Sequence, residues 1–201
     1  MKCDNEDLPL IEYFMIITAI ALFGCLHSGM SATRVKNRFI DSYGREGYSR
    51  LFNITSILSF LLAFLSVGYW DWLYFIVDSA SVNLLLFALG IGFLVAGMYV
   101  AIRTSRVISV SAVADMRTDR EAELVTSGLY ARVRHPLYLA TVLVFLALPV
   151  LYPAITIGVF SLSMIVYTLI GARLEERKLV SQYGDAYRDY RKTAGFILPC
   201  L

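Results

Sequence analysis

The sequence predicts an all-α integral membrane protein with five transmembrane helices, the last two forming a C-terminal hairpin, together with short cytoplasmic helices. Three observations predict it. Of 201 residues, 58% are hydrophobic and 17% charged, and mean hydropathy is +0.64; a soluble domain carries about 25% charged residues. Long runs without charge recur along the chain. All basic residues except Lys2 fall in three segments, 27–50, 103–136 and 171–201, while the connections 71–78 and 149–153 hold none. Basic loops face the cytoplasm, so the N-terminus is expected outside and the C-terminus inside, in a multi-pass protein of a bacterial inner membrane.

The elements follow in order. Span one is Leu8–Leu26, with Glu12 near its outer end. Span two is Leu51–Trp70, followed by Trp72 and Tyr74 as an outer aromatic belt. Span three is Ser79–Ile102, with Ala88, Gly92 and Ala96 at four-residue spacing as an expected packing face. Each can cross ~30 Å of hydrocarbon at 1.5 Å per residue. The stretch Leu137–Ala172 then runs 36 residues without a charge. As one helix it would measure about 54 Å, too long for one crossing. Pro149 and Pro153 near its middle predict a turn, because proline inside a helix costs ~3 kcal/mol. The arms are therefore Leu137–Val150 and Ala154–Ala172. No linker or repeat interrupts the chain, so residues 1–201 are expected to form one domain.

Composition also excludes. A net charge of +2 with basic residues in juxtamembrane loops points to anionic headgroups and away from nucleic acid. Cys3, Cys25 and Cys200 give neither a disulfide framework nor a metal spacing. Cys3 follows no apolar region, and Cys200-Leu201 is not a prenylation box. The first span is preceded by acids, so it is expected to be retained as a helix and not cleaved as a signal. Gly90, Gly92 and Gly97 lie within an apolar span and make no dinucleotide fingerprint.

Two inner constellations carry the polar chemistry. The first runs from Glu123, Leu124 and Val125 through Gly128 and Tyr130 to Arg134, His135, Pro136 and Tyr138. Gly128 offers positive φ or a close backbone approach, and Pro136 suits the first turn of a helix. Arg134 and His135 are then held before a helix N-terminus, whose free N–H groups and partial positive charge suit an anion such as a carboxylate. The alternative is that they anchor the helix at the headgroups. The second is Arg173-Leu174-Glu175-Glu176-Arg177-Lys178, on a helix continuing from the last span. Two carboxylates at a bilayer boundary are costly unless partnered, so ionisable groups there are functional suspects. Gly184 is expected to stop that helix and Asp185 to start a short one, packed by its tyrosines. His27, beside Ser28, reads as a headgroup-level histidine, and Asn53 as a bond to a neighbouring helix.

These residues resemble a family. Ser127-Gly128-Leu129-Tyr130, Arg134-His135-Pro136 with Tyr138, Glu175-Glu176 and Tyr183-Gly184-Asp185-Ala186-Tyr187 together are similar to the isoprenylcysteine carboxyl methyltransferase superfamily. His27-Ser28, the stretch Arg50 to Asn53 and Leu198-Pro199 look like its bacterial NnrU and methanethiol S-methyltransferase branches. The resemblance implies a membrane-embedded methyltransferase using S-adenosyl-L-methionine, bound in a cytoplasm-facing pocket within about residues 103–201 and closed by C-terminal helices. It implies cofactor contacts at Leu124, Val125, Gly128, Tyr130, His135, Tyr138 and Glu176, and a catalytic arginine and glutamate, here Arg173 and Glu176. Arg173 stands nearer to that glutamate than in the eukaryotic enzymes.

The residue chemistry is compatible. The cofactor's amino-acid end needs a cation for its carboxylate and an acid for its amine, which Arg134 or His135 and Glu175 or Glu176 would supply. Its sulfonium suits tyrosine faces such as Tyr130 and Tyr138. No metal is called for. The expected partners are membrane lipid and a methyl acceptor that is a lipophilic or small molecule: a prenylcysteine carboxylate, a small thiol or a phospholipid amine. Two rivals remain. One is a sterol-reductase-like NADPH oxidoreductase, whose motif here is interrupted by Pro136 and Leu137. The other is a non-catalytic membrane protein of the same fold.

Overall fold

The computed structural model describes residues 7–107 and 124–199. Cys3, Glu123 and Cys200, and with them Lys2, Arg117 and Arg120, lie outside the described residues. The described α-helices are α1 (Asp7–Ser31), α2 (Thr33–Leu65), α3 (Tyr74–Val77), α4 (Leu84–Ser105), α5 (Pro136–Leu151), α6 (Ile155–Tyr183) and α7 (Asp185–Thr193). Short 3-10 turns sit at Ser79–Ser81 and Gly128–Ala131. Helices α1, α2, α4 and α6 are long and apolar enough to cross a membrane. In hydrocarbon every backbone group must be satisfied within the chain, which a helix achieves by itself. Their outward faces are apolar: Phe14 is 69% exposed on α1 and Leu85 81% on α4, as expected for side chains meeting lipid. The protein is thus a helical integral membrane protein. Helix α5 has 16 residues, about 24 Å at 1.5 Å each, and is shorter than the other four.

Several boundaries differ from the sequence expectation, each for a local reason. The second apolar helix begins at Thr33, well before Leu51, because its charged first half still forms helix around a break at Gly44 (φ 71°, ψ 169°). It ends at Leu65, short of Trp70; Gly68 (φ 64°) turns the chain. Helix α4 starts at Leu84 and not Ser79, because the Asn83 side chain accepts from the Leu85 and Leu86 amides, both at 3.1 Å. Proline does not end α5 at Val150: Pro149 is accommodated in the last turn and the helix runs to Leu151.

The chain divides into two compact units. One comprises residues 1–82 and 152–167, the other 83–151 and 168–201. In the first, α1 packs on α2, with Ile16, Ile20, Ala63, Ile157 and Phe160 buried. Phe23 meets Phe60 and Tyr167 edge-on, and Gly24 leaves room for the Tyr167 ring, which a Cβ there would meet at 3.0 Å. His27 shares a 2.9 Å hydrogen bond with Ser56, and Ser28 a 3.0 Å bond with Tyr167. These histidine and serine side chains therefore tie helices together. Asn53 is exposed on α2. The aromatic belt is an interlocked group. Trp72 stacks on Phe64 and meets Tyr69 and Tyr152 edge-on, while Trp70 stays 76% exposed.

In the second unit α4 packs along α5. The close approach is made at Gly90 and Gly97, where a Cβ would meet Leu151 Cγ at 2.5 Å and the Ala140 carbonyl at 3.1 Å. Ala88, Gly92 and Ala96 point the other way and are exposed. The small-residue packing face thus lies on glycines seven apart, two helical turns, and not on the four-residue stripe.

Candidate functional site

The site is assembled within the second unit from the 127–135 turn, the C-terminal part of α6 and the tail after α7. Gly128 takes φ 65°, a conformation costly for any residue with a Cβ. This lets Ser127–Val133 coil back, with the Arg132 and Val133 amides donating to the Leu129 carbonyl at 3.1 and 3.0 Å. Pro136 then opens α5. Gly184 (φ 57°) separates α6 from α7. Helix α7 buries Tyr187 and Tyr190 on one face and carries Arg188, Arg191 and Lys192 elsewhere.

Past α7 the chain becomes extended and bridges Val133 with Gly195 in parallel. The Arg134 amide donates to the Gly195 carbonyl (2.8 Å), the His135 amide to the Phe196 carbonyl (3.2 Å), and the Gly195 amide to the Arg132 carbonyl (2.9 Å). This backbone clasp holds Arg134 and His135 against α6.

At the centre stands Glu176, 4% exposed. Arg134 Nε donates to its Oε1 at 2.7 Å, with both side chains buried. Arg134 Nη1 donates further to the carbonyls of Arg191, at 3.2 Å, and Ala194. The Tyr187 hydroxyl donates to Glu176 Oε1 at 3.4 Å. Arg173 and Arg191 stand 3.9 and 4.0 Å from the same carboxylate. Phe196 lies under the Arg173 guanidinium, 4.1 Å from ring centroid to Cζ, and meets the His135 ring edge-on at 5.2 Å. Next to Glu176 the structure opens into a pocket of about 480 Å³ lined by Arg173, Glu176, Arg177, Val180 and Arg191.

His135 is the unsatisfied member. Its Nε2 is buried without a hydrogen-bond partner, 3.7 Å from Glu176 Oε1. Burial, aided by Arg134 and Arg173, outweighs the Glu176 carboxylate and pushes its pKa down to about 4. The imidazole is therefore neutral at neutral pH. Burial, with a smaller push from Glu175, raises the Tyr130 phenol to about 12, and burial raises Tyr190 likewise to about 12. Burial also holds the Tyr187 proton firmly. These phenols act as neutral donors: the Tyr190 hydroxyl donates to the Tyr130 carbonyl at 2.6 Å.

Of the residues singled out in the sequence, Arg134, His135, Arg173 and Glu176 converge. Tyr138 meets His135 edge-on at 5.5 Å and is a hydrogen-bond partner of Glu175. Leu124 packs on the Tyr187–Tyr190–Ala194 cluster, and Val125 is half-buried beside it in sequence. Gly128 shapes the turn. Sequence reading did not assign Arg191 or Phe196 to the site, and it quoted Arg177 and Tyr187 within motifs without giving them a role there. Tyr187 and Tyr190, three apart on an amphipathic helix, were the available signal for a buried face.

The class these features define is a helical membrane protein with a charged, partly buried centre at the end of an apolar helix. A family model described as phospholipid methyltransferase matches residues 79–186, and the chain belongs to this family, which takes in the isoprenylcysteine methyltransferases. Over 78 residues it is 44% identical to a methanethiol S-methyltransferase of Pseudomonas deceptionensis, covering 38% of this chain and 28% of that protein. It is 28% identical to methanethiol S-methyltransferase 1 of Bradyrhizobium diazoefficiens, over 97% of this chain and 70% of that one. It is 27% identical to the protein-S-isoprenylcysteine O-methyltransferase of Schizosaccharomyces pombe, over 79% and 61% respectively. The first match thus spans less than a third of its relative's length. No solved structure matches.

Proposed function

We propose that the protein is an S-adenosyl-L-methionine-dependent methyltransferase of the membrane, acting on a small thiol, with a prenylcysteine carboxylate as the second acceptor class. One observation carries this reading. An unpartnered, buried His135 Nε2 adjoins the Arg134–Glu176 pair beside an arginine-lined pocket. That donor set suits the cofactor. Glu176 would take its ammonium group, His135 Nε2 its carboxylate or a ring atom, and Tyr130 and Tyr138, with Leu124, Val125 and Gly128, its less polar parts. Glu175, bonded to Tyr138, would hold that phenol in place. Arg134 would act through Glu176, since its Nε and Nη1 bonds are already committed.

When bound, the cofactor supplies an electrophilic methyl group on a sulfonium. The chain's residues would prepare the acceptor. Arg173, with a side chain 65% exposed and resting on Phe196, would favour the thiolate form of a thiol acceptor, or receive a carboxylate directly. Glu176, fixed by Arg134 and Tyr187, would keep the electrophile aligned, so positioning supplies most of the acceleration. The relatives' names, six methanethiol enzymes among them, favour the thiol.

The test is a panel of acceptors with radiolabelled S-adenosyl-L-methionine and protein purified in lipid nanodiscs. Methanethiol is expected to accept label, with a farnesylcysteine analogue slower. No transfer to either, together with no cofactor binding, would overturn the reading.

The same proposal places α5 as a fifth crossing, the N-terminus outside and the C-terminus in the cytoplasm of a bacterial inner membrane, in one domain whose cofactor-binding part is about 103–201. The basic residues support it, all but Lys2 falling at alternate connections or in the C-terminal segment. A phosphatase reporter inserted at Asp78 is expected to be active, and one at Lys192 silent. Equal activity at both sites would refute this topology.

A further inference from the structure

Arg173, Arg177 and Arg191 line the opening beside Glu176 together with Val180, and Glu176 is the one carboxylate among these lining residues. That carboxylate is already bonded at 2.7 Å to the buried Arg134. Arg173 and Arg191 approach it only to 3.9 and 4.0 Å, beyond hydrogen-bond length. Arg177 is exposed. The opening therefore carries a surplus of positive charge, and an anionic group entering it would meet donors that no carboxylate of the lining takes up.

Of these residues Glu176 is assigned to the cofactor and Arg173 to the acceptor's sulfur, which leaves Arg177, Val180 and Arg191 without a role. Methanethiol has one carbon and no charge, and engages none of them in a space of about 480 Å³. Spacing defines what would. Arg173 and Arg177 stand one helical turn apart on α6, about 6 Å. A sulfur at Arg173 and a carboxylate at Arg177 are then joined by a chain of roughly two or three carbons. Arg191 reaches the same opening from α7, its carbonyl held at 3.2 Å by Arg134 Nη1. Guanidinium forks from both helices can thus grip one carboxylate, with Val180 as an apolar wall beside the carbon chain.

We propose that the acceptor is a small thiol bearing a carboxylate, its sulfur directed to Arg173 and its anionic end seated between Arg177 and Arg191. This acceptor class rests on the proposed methyl transfer. Phospholipid, methanethiol and isoprenylcysteine, the acceptors in the names of the family and of its members, do not combine a free thiol with a carboxylate. In the transfer the thiol proton passes to water and the thiolate sulfur's electron pair forms the bond to the methyl carbon. The methyl–sulfonium bond breaks, and its pair stays on the sulfur left behind as a neutral thioether. The carboxylate is unchanged; it is the handle and not the nucleophile.

The experiment compares 3-mercaptopropionate with 1-propanethiol, a neutral thiol of similar length, on detergent-purified full-length protein with labelled S-adenosyl-L-methionine. The wild type is expected to show a kcat/KM about tenfold or more higher for the anionic thiol. Arg177→Gln with Arg191→Gln should lower that ratio by about tenfold, and the exposed single variant Arg177→Gln should lower it by a smaller factor. Lys178→Gln, a neighbouring cation that does not line the opening, should keep the wild-type ratio. Calorimetry gives a readout apart from turnover: the product 3-(methylthio)propionate should bind the wild type saturably and the double variant more weakly. Equal kcat/KM for the two thiols, an equal fall in Lys178→Gln, or no saturable binding of the product would each overturn the inference, while transfer to 1-propanethiol leaves the methyltransferase reading standing. Weaker binding of S-adenosyl-L-homocysteine in the arginine variants with an unchanged acceptor ratio would give these side chains to the cofactor and also overturn it. No transfer to either thiol would remove the thiol reading itself and the inference with it.

Discussion

Arg134→Met is expected to be the most damaging single substitution in the second unit. It leaves Glu176 as a buried carboxylate without its 2.7 Å partner and frees the Arg191 and Ala194 carbonyls. Breaking one side of a buried ion pair costs about 3–5 kcal/mol. Tyr187, at 3.4 Å, offers a single long bond in return. The thermal midpoint in detergent should fall clearly, and cofactor binding should be lost. Arg134→Met with Glu176→Leu should recover much of the midpoint, because no isolated charge remains, while binding stays absent. That combination separates a structural loss from a functional one. A single variant that melts like the wild type would show that the pair does not organise the site.

His135→Ala is expected to act in two measurable ways. Cofactor affinity should fall about tenfold to a hundredfold, the effect of losing a hydrogen bond to a charged group at about 1.5–3 kcal/mol. The second effect is on pH dependence. The folded-state pKa is about 4, below the ordinary 6.5, so the folded protein favours the neutral ring. That preference stabilises the fold fully above about pH 6.5 and is lost as pH falls through about 4. Its full size is on the order of 3 kcal/mol. Wild-type stability should therefore decline across this window more steeply than that of His135→Ala, measured as midpoints from pH 7 to 4. Parallel curves would show that the imidazole already titrates normally. The groups that face it are Glu176, Arg134, Arg173, Tyr138 and Phe196, and only Glu176 opposes the downward shift.

Much of this arrangement was written in local chemistry. Uncharged runs located the apolar helices, because lipid demands them. Gly128, Pro136 and Gly184 marked turn, helix start and helix stop, because their backbone preferences act within a few residues. Arg134, His135, Arg173 and Glu176 stood out as polar groups beside apolar helices. What was not legible depends on distant parts of the chain. Phe196 joins the site beside the bridge between Val133 and Gly195, and Arg191 through α7 and the bond from Arg134 to its carbonyl; such long-range pairings leave no periodicity in the sequence to announce them. Gly90 and Gly97 were weighed only as a nucleotide motif and not as a packing face, because a seven-residue interval is less conspicuous than the exposed Ala88–Gly92–Ala96 stripe. The charged first half of α2 hid its helical character, since its amphipathic pattern is broken at Gly44.

The clasp also imposes an order of events on the growing polypeptide. Arg134 and His135 leave the ribosome some sixty residues before Gly195 and Phe196, whose carbonyls receive their amides. A nascent chain that has already formed α4, α5 and α6 still lacks those acceptors. Helix formation and completion of the centre are thereby separated in time, and the Arg134–Glu176 arrangement is withheld until translation has delivered the tail.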